Sequence, residues 1–352
     1  LLLNLMTTPI FASFQPPFFA GVDVGGTNIK IGIVDDAGRT VCESKISTSP
    51  QRSSLSAFQD VERAFDEMAS TNDLNWEDIV GVGLGTPGPL NVQSGLILTP
   101  SNLPGWHDSP VRDQLSELLG KPVVLANDAG AAAFGEYWVG SGRRYDSLVM
   151  LTLGTGVGGG IIVEGSSIDG ANSHGAELGH ITIDTSPNAR RCGCGQRGHL
   201  EAYASATALV ERTKEALSMP GSSEGNSTLA TRISENSPLS ALMIAQAASA
   251  GDELAVRMID ETAHYLAAGI AILSFVIDPA AFVLGGAMNF GGNDSPLGQK
   301  FLRDVVTQVR QLVFPVVAEG LQVEFATLGG SAGFVGAAGL ARYAYIRQNL
   351  RR

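Results

Sequence analysis

Cysteine is scarce in this chain, with three in 352 residues, at positions 42, 192 and 194. So few exclude a disulfide framework as the source of stability, and a reducing compartment, the cytoplasm, fits best. Charge is sparse too, at 16% of residues, and biased against the positive sign: 35 acidic side chains oppose 23 basic ones, a net −12. That balance repels phosphate backbones and no basic stripe offsets it, so nucleic acid is not an expected partner. Long apolar runs are also missing. No segment reaches the roughly 18 uninterrupted apolar residues of a membrane span, so no membrane association is expected. The uncharged first twenty residues lack the basic start of an export signal and are interrupted by Pro9, Pro16 and Pro17. Met6 is a candidate start, and residues 1–17 are expected to precede the folded part as a disordered or superfluous N-terminus.

What the chain has is length, apolar content and glycine. With 44% hydrophobic residues over 352 positions, it can bury more than one core, because single cores stop growing at about 250 to 300 residues. The 43 glycines gather at 21–26, 81–88, 154–160, 285–286 and 329–339, as they do in loops that approach something closely. Two stretches resemble each other. Ala20 to Val34 and Ser147 to Val163 each read as a β-prone run, a Gly/Thr turn and a second β-prone run. Each unit leads through helical pattern to another buried strand, Asp78 to Leu84 in the first half and Ala281 to Gly286 in the second. Two similar α/β halves facing each other across a cleft follow from that pattern. Helices are expected at Leu55 to Met68, Pro110 to Leu119, Ala129 to Trp138, Ala206 to Ala216, and Pro238 to Phe275 with a break at Gly251-Asp252. Ser218 to Ser237 reads as an exposed loop.

The turn at Asp23-Val24-Gly25-Gly26-Thr27-Asn28 puts backbone N–H groups and a hydroxyl where a phosphate could lie. A Gly-Gly turn alone is more often only a turn. Its echo at Gly154-Thr155-Gly156-Val157-Gly158-Gly159-Gly160 strengthens the phosphate reading, since two facing glycine hairpins can hold one polyphosphate. Asp23 could hold magnesium through water. Cys192 and Cys194 fall beside His180 and His199, a donor set suited to one closed tetrahedral zinc site, with Glu177 and Glu201 flanking it. Asn127-Asp128 follows a strand-like run and opens an Ala-rich helix, which fits either a helix cap or a working pair.

The motifs Asp-Val-Gly-Gly-Thr, Asn-Leu-Pro-Gly-Trp, Asn-Asp-Ala, Gly-Thr-Gly-Val-Gly-Gly-Gly, Glu-Leu-Gly-His and Cys-Gly-Cys-Gly occur in that order between about Phe19 and Ala344. In this the chain resembles bacterial sugar kinases of the ROK family, its glucokinases most of all. The resemblance implies an α/β fold of the actin-like ATPase (ribonuclease H-like) type, two α/β domains around a cleft. Residues 18–138, completed by the C-terminal helix 335–352, would form one domain, and 139–334, with the zinc motif, the other. It further implies transfer of the γ-phosphoryl group of ATP to glucose, with Mg2+ and a structural Zn2+, in a homodimer. Asp128 would be the general base, and Asn102, Asn127, Asp128, Glu177, His180 and Glu201 would contact the sugar. Asp23, Gly25, Gly26 and Thr27, then Gly154, Thr155, Gly156 and Gly158, would hold the nucleotide phosphates, and Gly285 and Gly286 would lie against the adenosine. The family has a third cysteine where this chain has His199, so the ligand set His180, Cys192, Cys194, His199 departs from the pattern while keeping four zinc donors. A kinase for fructose, mannose or an N-acetylhexosamine shares these residues. A repressor of the family would need a DNA-binding domain before the first glycine loop, yet the 22 residues ahead of Asp23 carry no basic side chain. A non-catalytic sugar sensor is opposed by Asp128.

Overall fold

The structure is a computed structural model that describes residues 14–100, 102–218, 227–230 and 238–351. The first repeat folds as an antiparallel hairpin of β1 (Phe18–Val24) and β2 (Asn28–Val34), extended by β3 (Thr40–Ser47). β1 then pairs in parallel with β4 (Ile79–Thr86). Beyond the short hairpin of β5 (Leu90–Asn91) and β6 (Leu96–Ile97), β7 (Val123–Asn127) completes the sheet, in the order β3-β2-β1-β4-β7. The central strands are buried almost throughout, which is why they read as near-continuous apolar runs, whereas edge strand β3 alternates with solvent.

The second repeat builds the same layout again. Strands β8 (Ser147–Leu153) and β9 (Val157–Val163) form the hairpin, β10 (Ser166–Ser167) extends it, and β11 (Ala281–Gly285) and β12 (Val323–Phe325) add in parallel, giving β10-β9-β8-β11-β12. Each sheet has its own core. Phe58, Phe65 and Trp106 pack on the first, and Phe282, Phe301 and the buried face of helix Glu253–Val276 on the second. By length and composition that helix could cross a membrane, but more than half of its apolar window lies inside the protein.

The break expected at Gly251-Asp252 is present: helix Ala241–Ser249 ends there, and Asp252 caps helix Glu253–Val276 by accepting from Ala255 N. The segment 218–237 is not wholly an exposed loop. Most of it lies outside the described residues, as do residues 1–13, but Leu229 is fully buried and Ser227 and Thr228 donate to Asp252. Burying one leucine overrides the polar composition around it.

Helix Ala332–Asn349 lies against the first sheet. A Cβ on Gly83 would overlap the carbonyl of Ala337, so the strand must be bare there for the helix to settle. Helix Asp128–Trp138 crosses this helix where a Cβ on Gly336 would strike Ala131, and its other side rests on β9, with Ala129 and Ala133 against Gly160. This helix therefore touches both sheets, and its first residue is Asp128.

Candidate active site

Asn127 ends β7 and caps the helix, its Oδ1 accepting from Ala129 N at 2.9 Å and Gly130 N at 3.3 Å. The cap consumes only the oxygen. A methyl group placed on Gly88 would stand 3.8 Å from both Asn127 Nδ2 and Glu177 Oε1, so these two groups border one space above Gly88. Asp128 adjoins it. Burial raises the proton affinity of Asp128 most, the Ala129 N–H lowers it, and the charge of Glu177 raises it again.

Asp23, near the end of β1, is the second acid of the site, half-buried like Asp128 and enclosed by protein on most sides. Burial first, and then the charge of Asp128, push its carboxyl up to about 7, while Lys30 pulls it down. Sequence reading passed over Lys30. The signal was available, because pairing outward from the turn sets Asp23 opposite Lys30. Lys30 also donates to the carbonyl of Gly330 at 2.7 Å, and a Cβ on Gly333 would overlap the Asp23 carboxyl. The start of the last helix is thereby held against this acid.

The two glycine turns are similar, the first one residue longer between its flanking strand pairs. Gly25 N donates to Asn28 O and Gly154 N to Gly156 O, each at 2.9 Å, so in both hairpins the first glycine closes the turn. Asn102, which is exposed, lies beside Gly26, and Thr48 fastens the first turn by donating to Gly25 O at 2.7 Å. Beside Gly154 and Thr155 opens a cavity of about 600 Å³ whose walls include Ala206, Ala245, Met288 and Phe290. Gly285 and Gly286 precede its wall residues Ala287 and Met288. These mostly apolar walls suit a flat aromatic base.

Glu201 is engaged within the protein. Its Oε2 accepts from Val157 N at 3.0 Å and its Oε1 faces the Cys192 thiol at 3.6 Å, which ties the second glycine turn to the cysteine cluster. The turn Leu178–His180, bearing Glu177 at its head, packs on the same strand start through Gly179 and Val157.

His180, Cys192, Cys194 and His199 converge, with one donor atom of each within 4.8 Å of the others. His180 Nδ1 is 3.3 Å from His199 Nδ1, Cys194 Sγ 3.3 Å from His199 Nδ1, and Cys192 Sγ 3.7 Å from His180 Nδ1. A tetrahedral zinc with ordinary bond lengths spaces its ligands by roughly 3.3 to 3.8 Å, and these three separations match it. Burial, and then the charge of His180, lower the proton affinity of His199, which favours the neutral ring a metal needs.

Twin sheets in one strand order, each opening with a glycine hairpin, and two half-buried acids near the helix that touches both sheets define the actin-like ATPase class of phosphotransferases. The chain belongs to the ROK family, whose model matches residues 19–344. It is 35% identical to the glucokinase of Halalkalibacterium halodurans over 92% of this chain and 95% of that one. Among solved structures, it is similar to a ROK family glucokinase from Streptomyces griseus in complex with glucose and AMPPNP, at 33% identity and a TM-score of 0.71 over 93% of this chain and 99% of that one. It is also similar to the ROK hexokinase from Thermus thermophilus, at 30% identity and a TM-score of 0.77 over 94% and 99%.

Proposed function

We propose that the protein is an ATP-dependent glucokinase acting between the two lobes. The observation that carries this reading is the gathering of Asn127, Asp128 and Glu177 at the foot of the helix that touches both glycine-hairpin sheets. The 6-hydroxyl of glucose attacks the γ-phosphorus of ATP, the bond from phosphorus to the bridging oxygen breaks, and ADP leaves. Asp128 accepts the hydroxyl proton. Its raised proton affinity suits that task, and a loose phosphoryl-transfer transition state asks mainly for positioning. Asn127 Nδ2 and Glu177 hold sugar hydroxyls on one side, and Asn102, His180 and Glu201 complete the contacts. Gly25, Gly26 and Thr27 face Gly154, Thr155, Gly156 and Gly158 across the phosphates, and the base enters the cavity by Met288. Magnesium would neutralise phosphate charge, and Asp23 would hold it through water.

The lobes correspond to 18–138 with 335–352 and to 139–334, moving as bodies to exclude water. His180, Cys192, Cys194 and His199 hold a structural zinc. With Nδ1 directed at the cluster, His180 keeps Nε2 for the sugar. The protein works in the cytoplasm as a homodimer, without nucleic acid or membrane. Support for the dimer comes from exposed apolar side chains, where the tilted rings of Phe275 and Phe314 meet with centroids 4.9 Å apart and Val276, Leu312 and Val316 are also exposed.

A coupled ADP-release assay over a panel of hexoses tests the reading. Glucose should give the highest kcat/KM. A preference for mannose, fructose or an N-acetylhexosamine would overturn the substrate while keeping the class, and no ADP release with any sugar would overturn both.

A further inference from the structure

Glu136 is an acid with no solvent exposure near the end of helix Asp128–Trp138, in an otherwise apolar stretch. Its carboxylate accepts five hydrogen bonds. Oε2 takes Ser141 N at 2.9 Å, Ser141 Oγ at 3.1 Å and Thr327 Oγ1 at 3.2 Å, while Oε1 takes Thr327 N at 2.9 Å and Leu328 N at 2.7 Å. Ser141 lies where the chain leaves the first sheet's last helix for β8, and Thr327–Leu328 where it returns from β12 towards helix Ala332–Asn349. One carboxylate therefore ties together the outward and the returning connection between the two sheets.

Any rotation of one lobe against the other must bend both connections, and Glu136 is bonded to both. We infer that Glu136 is the hinge pin of lobe closure and a positioning residue for the reaction: it sets how helix Asp128–Trp138, and Asp128 at its head about 12 Å away by helical rise, meets the glycine turn and sugar groups of the second lobe. Five donors to one carboxylate fix direction as well as distance. Glutamine in its place has one oxygen to accept with and an NH2 that faces donors, so one of the two connections is released. The pin touches neither sugar nor nucleotide. Loosening it should therefore spare binary sugar binding and harm the closed state, where water is excluded.

This inference rests on the kinase reading, and the experiment separates the two. Small-angle scattering with and without glucose reads closure directly, and parallel assays of ADP release and glucose 6-phosphate formation read coupling. The parent should contract when glucose is added. Glu136→Gln should contract less, bind glucose by calorimetry within about threefold of the parent, lose kcat, and waste ATP to water at a ratio raised by about tenfold or more. Ser141→Ala and Thr327→Val each remove one of the five bonds and keep the backbone donors, so they should shift the ratio the same way by less. Should Glu136→Gln fail to fold, the Ser141→Ala/Thr327→Val double variant decides. A folded variant with unchanged contraction and a hydrolysis ratio within about twofold of the parent overturns the hinge role. If the parent itself forms no glucose 6-phosphate, the glucokinase reading fails, and contraction alone judges Glu136.

Discussion

Asp128 lies close enough to Asp23 that its charge, added to burial, holds the Asp23 carboxyl at a pKa of about 7. The two acids come from the ends of different strands of one sheet, and Lys30 offsets their repulsion only in part. A site that keeps two carboxyls together in this way stores cost in the ligand-free protein and relieves it when a cation arrives.

That cost has a sign. The folded pKa of Asp23 stands above its ordinary 3.8, so the folded chain binds this proton more tightly than the unfolded one. The stabilising contribution is full below about pH 4 and lost as the pH rises through about 7. Asp23→Asn has no charge to bury. It should melt above the parent at pH 8, with the gap narrowing towards pH 5, in thermal scans without magnesium or nucleotide. An equal gap at both pH values would remove the charge argument.

Asp128→Asn keeps size and hydrogen bonding but removes basicity. Turnover should fall by at least about 10²-fold while glucose affinity persists. In the parent, kcat/KM should decline on the acid side with a midpoint above the ordinary aspartate range, because burial favours the protonated form that cannot accept a proton. Turnover of the variant within a few-fold of the parent would remove the general base.

Glu177 faces open space beside Asn127, whereas Glu201 is already bound to Val157 N. Glu177→Gln should weaken glucose binding by roughly tenfold, the worth of one charge-assisted hydrogen bond. Glu201→Gln should disturb the nucleotide as well as the sugar, since it loosens the second glycine turn. Calorimetry with each ligand separately checks both, and unchanged glucose binding by the Glu177 variant would refute its assignment.

Elemental analysis should find close to one zinc per chain. His199→Cys should retain it, by restoring the family's ligand set, and His199→Ala should hold it more weakly in a competition with a chromogenic chelator. Removing zinc should abolish glucose binding while the phosphate turns, anchored by their own backbone bonds, still accept nucleotide. Zinc held equally tightly by His199→Ala would show that another group fills the fourth position.

The twin hairpins could be read from the chain because each is local: a turn of glycines between two β-prone runs leaves few other pairings. The cysteine cluster was legible for the same reason, with Cys192, Cys194 and His199 inside eight residues. Asn127 was legible as either a cap or a working residue, and its oxygen caps while its NH2 borders the space it shares with Glu177 above Gly88. Glu136 was not legible. An isolated acid in an apolar helix carries no pattern, and its partner Thr327 lies 191 residues away.

The sequence by itself determined the elements and the donor types, since strands, turns and metal-ligand spacing depend on neighbours within a few positions. It also determined the family, through the order of its motifs. Only the tertiary structure decided which acid feels which charge, that Glu201 is bound to Val157, and that one buried carboxylate joins both connections between the sheets. Those facts depend on distances between segments remote in the chain. Such distances are set when glycines such as Gly83 and Gly336 let backbones approach that any larger side chain would keep apart.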